Sequence, residues 1–540
     1  NGVPSVLDFA TMWSLIQNTA FGDILHYAFR GKSRRKEAER LDLSKVEHYF
    51  ETDAETGEII VNWYGEDDPE NPYNWQFLYK CYVTLLLFCM TMSVYMGSSI
   101  VSPGITDLAQ YFGVSTVTAT LSMSLFVWAY GVGPMILSPI TEISWVGRNG
   151  VYIVGLGLFT VMQVPNALVN NIAGYMILRF ISGFLGSPVL STGGATVGDI
   201  WRLEGGFMNG LSFWCLGATG GPTLGPLISG YAVQVKGWRW SLWPLLCMNG
   251  IIWLMLFFTL PETSGSAVLS RRAKALRDAT GNEKYRSRGE LNDRKISAQS
   301  LLYETLCRPF QLALTEPVLI CANFYVAYLY GIMYCFFEAF PLAFEGRHGF
   351  STGAMGLSYV SGYIGCAVMC VFFCIYNVKI AIPRFRAGNW RPEYRMEPAF
   401  LGGILFPVSL FWFGWTSFSA VHWVVPMIAF AFFIISGYLL FQGLIAYIGE
   451  NYPRYMASVY AGNTLFRASL GGAFPLFATQ MFNRLTLQGG CSLLGGLAAL
   501  LFPITIVFYM YGPKLREKSK NAGMTQDTGK KETKEKEEAV

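Results

Sequence analysis

The sequence predicts an all-α protein that crosses a membrane twelve times, as two bundles of six helices. Apolar residues make up 52% of its 540 residues and charged residues only 14%, whereas soluble domains carry about a quarter charged residues. Apolar runs recur along the chain, each close to the roughly 20 residues that a membrane-spanning helix needs. Lysine and arginine cluster in alternate connections, as expected when these connections face opposite sides of a membrane. We therefore interpret the chain as an integral membrane protein.

The apolar runs form two groups of six, separated by a charged stretch. We place the spans near 80–101, 117–138, 149–168, 172–195, 207–231, 241–260, 317–341, 354–376, 398–418, 422–446, 458–481 and 490–511. The last residues, KKETKEKEEAV, are too polar to form a packed core. The predicted domains are a polar N-terminal segment, a first bundle, a central loop, a second bundle and a disordered tail, at 1–75, 76–261, 262–314, 315–511 and 512–540.

The distribution of cations predicts the orientation. Lysines and arginines are dense in the central loop, at 379–395 and at 514–520, and sparse in the connections on the other side. Connections rich in these residues stay in the cytoplasm, so we expect both termini and the central loop to be cytoplasmic. Residues 6–31 combine helical apolar spacing with a basic cluster. This pattern fits either a helix lying on an anionic leaflet or a disordered tail with a transient helix.

Nothing in the sequence indicates an enzyme. It contains no phosphate-binding loop, no GxSxG, no HExxH and no Cys/His spacing suited to a metal. We therefore expect no catalytic residue, metal or cofactor, and no nucleic-acid partner. An ATP-binding domain is also absent from the sequence, so work done across the membrane would draw on an ion gradient.

Arg179, in MILRFISGFLG, lies well inside a predicted span. An arginine is costly there and is a functional candidate by default. Because it keeps its proton, it would act by stabilising a nearby carboxylate or by donating to exposed backbone. The alternative is a side chain that reaches to the membrane interface. Gly183 and Gly186 on the following turns would allow another helix to approach closely.

Glu338, in YGIMYCFFEAFPLAF, is the acidic residue that these boundaries place deepest. A carboxyl group among aromatic residues suits a site that binds and releases a proton. We therefore predict that Glu338 and Arg179 take part in proton coupling. Solvation of Glu338 by water at the outer end of its span is the alternative.

The connection TEISWVGRNG places an acidic and a basic residue at the ends of two helices. Such residues can pair across the helices and break apart when an entrance opens. We predict that Glu142, Gly147 and Arg148 form a cytoplasmic gate, with ordinary loop charges as the alternative.

Aromatic residues are dense in several spans. Aromatic walls with few fixed polar groups suit the binding of flat apolar molecules, and equally suit packing against lipid. Asn463 and Arg467 form a polar pair one helical turn apart. Arg467 is the only cation that these boundaries place deep in the second half. The predicted substrate cavity consists of Tyr325, Tyr328, Tyr334, Phe337, Trp214, Asn463 and Arg467.

The stretch LGATGGPTLGP interrupts a predicted span with glycine and proline. Gly217, Gly221 and Gly225 are four residues apart and form a narrow stripe along one helix face. Such stripes let two membrane helices touch closely, and Pro222 and Pro226 bend the helix beside the contact. The pattern predicts a tight seam against another helix of the first half or across the boundary between the halves.

These motifs resemble the major facilitator superfamily, and within it the twelve-span drug:proton antiporters of fungi. Gly217, Gly221, Pro222 and Gly225 match the antiporter motif G-x-x-x-G-P-x-x-G of the fifth span. Arg179 with the glycines that follow it looks like the motif of the fourth span. The stretches GEDDPENPYNW, SVYMGSSIVSPGI and STGGATVGDI are similar to fungal pumps that confer resistance to fluconazole, benomyl and methotrexate.

The resemblance implies the major facilitator fold and a plasma-membrane antiporter. Such a protein exports drugs or other small organic molecules by alternating access in exchange for protons. We expect a monomer whose partners are small organic substrates, protons and the lipid bilayer. The alternatives are an exporter of one endogenous compound, such as a polyamine or secondary metabolite, and an importer of a nutrient.

Overall fold

The computed structural model describes most of the chain, and within this part the first half is helical throughout its membrane region. The described residues are 19–22, 49–53, 57–202, 206–295, 303–519 and 521–522. The helices of the first half are α1 Phe77–Ser99, α2 Ile105–Phe112, α3 Thr116–Leu137, α4 Gly147–Leu168, α5 Ile172–Gly186, α6 Pro188–Ile200, α7 Phe207–Lys236 and α8 Leu242–Thr259.

The central region and the second half are also mainly helical. Their helices are α9 Gly265–Thr280, α10 Arg288–Lys295, α11 Arg308–Thr315, α12 Pro317–Phe340, α13 Thr352–Ser358, α14 Val360–Tyr376, α15 Ile382–Arg386, α16 Met396–Thr416, α17 Val424–Asn451 and α18 Met456–Lys518. Short 3₁₀ turns occupy Pro72–Asn74, Ser102–Gly104, Pro139–Glu142, Trp238–Ser241, Pro392–Arg395 and Pro453–Tyr455. Single π-helical turns occupy Tyr303–Cys307, Pro341–Glu345 and Asn377–Ala381.

Twelve helical crossings can be traced through the described residues. Ten helical segments are long and apolar enough to span a membrane. α7 adds a crossing, because it is 30 residues long although its glycines and prolines lower its hydropathy. α18 contains two crossings joined at Thr486, where φ is 63° and the backbone is not helical. This count agrees with the sequence prediction.

The two halves meet along two seams. Within the first half, α1 packs on α7, α3 on α5 and α4 on α8; within the second, α12 packs on α18 and α16 on α17 and α18. Between the halves, α7 packs on α13 and α14, and α3 packs on α18. These two seams leave the axis of the molecule between them, which is where a central cavity can form.

Within the described residues, the stretch 49–75 and the first part of the central loop form one folded cap, although the sequence suggested two separate regions. β1 Glu51–Thr52 pairs antiparallel with β2 Ile59–Val61, which pairs parallel with β3 Tyr285–Ser287. Arg272 of α9, only 8% exposed, forms ion pairs with Asp68 and Glu70 of the N-terminal segment. We call the end of the bundle that carries this cap, where α1 begins, the terminal face.

The last helix ends later than the sequence suggested. The disordered tail was predicted to begin at 512, whereas α18 continues to Lys518. Arg516 donates to Glu393 at 2.6 Å and Ser519 donates to Glu316 at 2.6 Å, so the bundle holds these residues. Residues 521–522 are the last that the structure describes, and the remainder of the predicted tail lies outside the described residues. So do 6–18 and 23–31, where a surface helix and a disordered tail with a transient helix were the two alternatives.

Candidate functional site

Arg179 of α5 is completely buried and is held by backbone carbonyl groups. Its Nη2 donates to Gly97 O at 2.9 Å and to Ser98 O at 3.4 Å, and its Nε donates to Ser122 O at 3.3 Å. Gly97 and Ser98 lie in the last turn of α1, where carbonyl groups lack a partner within the helix. Nη1 has no partner among the described residues, and the guanidinium lies 4.4 Å from the ring centre of Phe126. Arg179 therefore fastens α1, α3 and α5 together.

The glycines after Arg179 allow this close arrangement. A Cβ atom at Gly183 would lie 3.1 Å from Ala129 Cβ and would overlap the Phe126 carbonyl of α3. A Cβ atom at Gly186 would lie 2.9 Å from Val94 of α1. The close approach predicted from the sequence is present on both turns.

Buried hydroxyl groups connect this region to the second half. Ser98 Oγ and Tyr334 OH are 2.7 Å apart, and Tyr334 OH lies 3.1 Å from Tyr130 OH. Tyr130 OH is in turn 2.5 Å from Tyr330 OH. We call these four residues the hydroxyl network. Two belong to α1 and α3 and two to α12, so separating the halves here must break the network.

Arg467 of α18 is also buried, with 3% of its side chain exposed. Its Nη2 donates to Tyr95 OH at 2.8 Å, across the boundary between the halves. The guanidinium carbon lies 5.3 Å from the ring centres of both Tyr330 and Phe441. Nε is buried and has no hydrogen-bond partner in the described part of the chain. Arg467 therefore lies against aromatic rings, and one of its N–H donors has no partner in the described part of the chain.

A narrow cavity lies beside Arg467, between the halves. The volume inside it that is open to water is about 30 Å³, room for a few water molecules at most, so the halves must move apart before a drug-sized molecule fits. α7 provides its wall in the first half, and α12, α17 and α18 provide its walls in the second. The cavity is lined by Ala218, Thr219, Leu329, Tyr330, Met333, Phe433, Ile434, Gly437, Phe441 and Arg467.

Most side chains predicted for the cavity make contacts elsewhere, and of the predicted set Arg467 belongs to this lining. Tyr328 donates to Leu494 O at 2.7 Å, Trp214 donates to Thr91 at 2.8 Å, and Asn463 donates to Asn323 at 2.9 Å. Phe337 stacks on Tyr359. Tyr325 packs on Phe406, and Tyr334 belongs to the hydroxyl network.

The lining residues that the sequence reasoning missed follow helical spacing. Leu329, Tyr330 and Met333 share one face of α12, and Phe433, Gly437 and Phe441 share one face of α17. These residues could have been predicted from the helix faces that point toward Arg467, whereas aromatic density alone did not indicate them.

Glu338 of α12 is largely buried and joins both halves. Its Oε2 accepts from Thr479 of α18 at 2.6 Å, and its Oε1 accepts from Thr120 of α3 at 3.3 Å. Among the described residues, no cation forms an ion pair with it. It stands one helical turn after Tyr334. In the described part of the chain, no hydrogen bond joins Glu338 to Arg179 or to the hydroxyl network; the two residues hold different contacts on the same side of the cavity.

The glycine stripe of α7 packs within the first half. A Cβ atom at Gly217, Gly221 or Gly225 would lie within 3.0 Å of backbone atoms of α1. Ser99 at the end of α1 donates to Pro222 O at 2.6 Å, which satisfies a carbonyl in the bent helix. Of the two predicted locations for the stripe, the structure therefore shows the one inside the half.

At the terminal face, Glu142 lies close enough to Arg148 for their charges to interact, but the ion pair of Arg148 is with another acid. Arg148 forms an ion pair with Asp199 at the end of α6, whereas Glu142 is exposed. Glu262 accepts from the backbone N–H groups of Arg148 at 3.0 Å and Asn149 at 3.3 Å. Burial raises the pKa of Glu262, while these N–H groups and that of Ser264 act in the opposite direction.

Gly147 allows Glu262 to reach the start of α4. Its φ is +72°, and a side chain there would overlap the Glu262 carboxylate. Glu262 lies in LPETSG, directly after a predicted span.

The second half repeats the ion pair of the first. Arg395 stands before α16 and pairs with Glu450 of α17 at 2.6 Å. Arg148 and Asp199 occupy the equivalent positions in the first half. In each half, the arginine stands at the start of the third crossing and the acid at the end of the fourth.

Two six-helix halves around a central cavity define a polytopic membrane transporter, and neither half carries the features of an enzyme. Residues 87–476 match the family model described as Major Facilitator Superfamily. The chain therefore belongs to the major facilitator superfamily, and its predicted fold class is confirmed. Transporters of this superfamily move small organic molecules across a membrane.

Relatives cover nearly the whole chain. "Transporter mfs1" of Schizosaccharomyces pombe is 39% identical over 535 residues, which is 95% of this chain and 100% of the relative. "Fluconazole resistance protein 1" of Saccharomyces cerevisiae is 41% identical over 464 residues, 85% of this chain and 84% of the relative. The predicted likeness to fungal resistance transporters is confirmed.

A solved structure shows the same fold. The proton:xylose symporter XylE bound to 6-bromo-6-deoxy-D-glucose has a TM-score of 0.55 with this chain. The aligned region covers 81% of this chain and 97% of the XylE chain, at 14% sequence identity. At this identity, the likeness concerns the fold alone.

Proposed function

We propose that the protein is a proton-coupled exporter of drugs or other small organic molecules, located in the plasma membrane with its terminal face in the cytoplasm. The main support is the central cavity, whose walls come from both halves and are apolar and aromatic apart from Thr219, Tyr330 and Arg467. Such walls fit varied flat molecules. In addition, Fluconazole resistance protein 1 of Saccharomyces cerevisiae is 41% identical to this chain.

Hydrogen bonds between the halves close the cavity at both ends. Toward the terminal face, Tyr438 donates to Ser212 O at 2.8 Å, and Asn377 donates to Ser212 Oγ at 3.2 Å. Toward the opposite face, the hydroxyl network and Glu338 connect the halves. Alternating access requires that one set breaks while the other holds, so each set acts as a latch on one side.

Glu338 is the proposed proton carrier. Its ionised form is held by one hydroxyl from each half, and opening the opposite face would remove Thr120. Leaving a carboxylate with a single donor in this largely buried site is costly. Protonation removes that cost, so proton binding favours separation of the halves on this face, and separation favours proton binding.

Arg179 is the proposed positioning residue for this latch. By holding the last carbonyl groups of α1, it fixes Ser98, whose hydroxyl belongs to the network. It keeps its charge throughout and therefore carries no proton itself.

The test is fluconazole efflux from a fungal host that lacks its own pumps. Cells expressing the protein should retain less fluconazole than control cells, and a protonophore should abolish the difference. Glu338→Gln should reduce efflux and its dependence on the proton gradient, whereas Glu517→Gln, at an exposed position of α18, should behave as the parent. Efflux that persists unchanged in protonophore, with the protein at the cell surface, would overturn the proposal.

A further inference from the structure

We infer that the central cavity selects its substrates by charge, taking organic anions and strong hydrogen-bond acceptors in preference to organic cations, and that Arg467 is the residue that selects. This inference rests on the proposed export function and specifies which molecules the cavity accepts.

The first step is the charge balance around Arg467. In the described part of the chain, its one hydrogen-bond partner is the phenol of Tyr95, and no carboxylate forms an ion pair with it. Arg179 also lacks a carboxylate partner, but it donates to three carbonyl groups, and two other buried arginines are paired with acids. Arg272 is paired with Asp68 and Glu70, and Arg148 with Asp199. The cavity therefore carries a fixed positive charge that the protein does not neutralise.

The second step is the cost of that charge. A buried guanidinium without an anionic partner is unfavourable, because burial removes the water that would solvate it. The rings of Tyr330 and Phe441 offset part of this cost through cation–π contacts. An anionic ligand can offset the rest by accepting from the free Nε. A cationic ligand would instead add a like charge in the same cavity.

The third step is the shape of the site. The guanidinium is planar, and charged hydrogen bonds from it are strong and directional. The rings of Tyr330 and Phe441 lie close to it, and the remaining lining is apolar apart from Thr219. The substrate class that matches is a flat aromatic molecule bearing a carboxylate, a sulfonate or an exposed acceptor. Polyamines, which carry several positive charges, do not match.

The test compares two xanthene dyes of similar size and opposite charge, fluorescein and rhodamine 123, with fluconazole as a neutral reference. Cells of the pump-deficient host are loaded with each compound, and efflux is measured per molecule of transporter at the cell surface. The unmodified protein should export fluorescein roughly tenfold or more faster than rhodamine 123, the effect expected of one charged hydrogen bond.

Variants of Arg467 assign the preference to this residue. Arg467→Gln should lower fluorescein efflux roughly tenfold more than it lowers fluconazole efflux, and Arg467→Lys should retain part of the preference. Arg467→Glu should shift the preference toward rhodamine 123. Arg484→Gln is the matched control, because Arg484 is exposed at the end of its helix and should leave every rate unchanged.

Two results would overturn the inference while leaving the proposed function intact. One is a parent protein that exports fluconazole and moves rhodamine 123 as fast as fluorescein. The other is an Arg467→Gln variant that reaches the surface and keeps the preference. If no compound is exported at all, the proposed function fails and this inference fails with it.

Discussion

Arg179 and Arg467 are both arginines buried in membrane-spanning helices, one in each half, yet their surroundings differ. Arg179 donates to three carbonyl groups of its own half, from α1 and α3. Arg467 faces the cavity, and its one hydrogen-bond partner among the described residues is a phenol from the other half. Both retain a buried nitrogen without a hydrogen-bond partner among the described residues, but the side chain of Arg467 lines the cavity whereas that of Arg179 does not.

The difference shows that a buried arginine can serve two purposes. One that is surrounded by backbone carbonyl groups fixes helices, because losing it leaves several acceptors unsatisfied. One that faces a cavity between moving halves is free to meet a ligand. Arg272 gives a third case, an arginine neutralised by two carboxylates in the cap. The expectation that an intramembrane arginine is functional covers both Arg179 and Arg467 and does not distinguish between them.

The largest expected effect is that of Arg179→Ala. The substitution leaves three carbonyl groups without their donor, each costing about 1–3 kcal/mol, and releases the end of α1. We expect loss of more than 90% of efflux for anionic, neutral and cationic compounds alike, measured per molecule at the surface. Selective loss of anion efflux alone would mean that Arg179 belongs to the cavity and would end the comparison with Arg467.

Gly183→Ala should weaken the same region less severely. The new methyl group would overlap the Phe126 carbonyl of α3, which must move α5 outward and draw Arg179 away from Ser122. We expect a loss of stability of about 1–3 kcal/mol, seen as a lower melting temperature in detergent and a severalfold lower efflux. Gly150→Ala is the matched control, since nothing lies within 4 Å of a Cβ atom there. Equal behaviour of the two variants would contradict the tight contact.

A smaller effect is expected from Tyr95→Phe, which removes the hydrogen-bond partner of Arg467. With Nη2 released, the guanidinium has more donors for a ligand, so the preference for fluorescein should rise roughly threefold. Tyr325→Phe is the control, because the Tyr325 hydroxyl has no partner among the described residues. If the preference for fluorescein falls in Tyr95→Phe, the phenol orients Arg467 for the ligand and does not compete with the ligand for its N–H groups.

The smallest effect concerns the cap. Burial alone would raise the pKa of Asp68, but the hydrogen bond and charge of Arg272 outweigh burial, and the net pKa lies below its usual 3.8. Asp68 therefore stabilises the cap at neutral pH, and this contribution is lost as the pH falls below about 4. Hydrogen exchange of α9, corrected for its intrinsic pH dependence, should rise on acidification in the parent. In Asp68→Asn it should be raised already at pH 7, and an unchanged rate in this variant would contradict the pairing.

The sequence predicted the fold more fully than the site. Apolar runs and the distribution of cations were enough for twelve crossings, because the membrane imposes one length and one charge rule on every span. The glycine stripe of α7 and the buried Arg179 were also predicted, since both are rare within a span. The cavity was predicted less well, because Tyr328 and Trp214 are aromatic like Tyr330 and Phe441 but face other helices.

The gate region shows why the remaining contacts could not be predicted. The sequence places Glu142 near Arg148, but Arg148 pairs with Asp199, 51 residues away. Glu262 contacts the start of α4 from 114 residues away. Periodicity reports which face of a helix is apolar, and it does not report which helices are neighbours.

The most direct test of the central claim uses everted plasma-membrane vesicles, in which the terminal face should point outward. Radiolabelled fluconazole is added outside, and the vesicle interior is made acid or alkaline. A proton-coupled exporter should accumulate fluconazole when the interior is acid and release it when the gradient collapses, and Glu338→Gln should do neither. Accumulation that is independent of the gradient, or that occurs only with an alkaline interior, would contradict proton-coupled export.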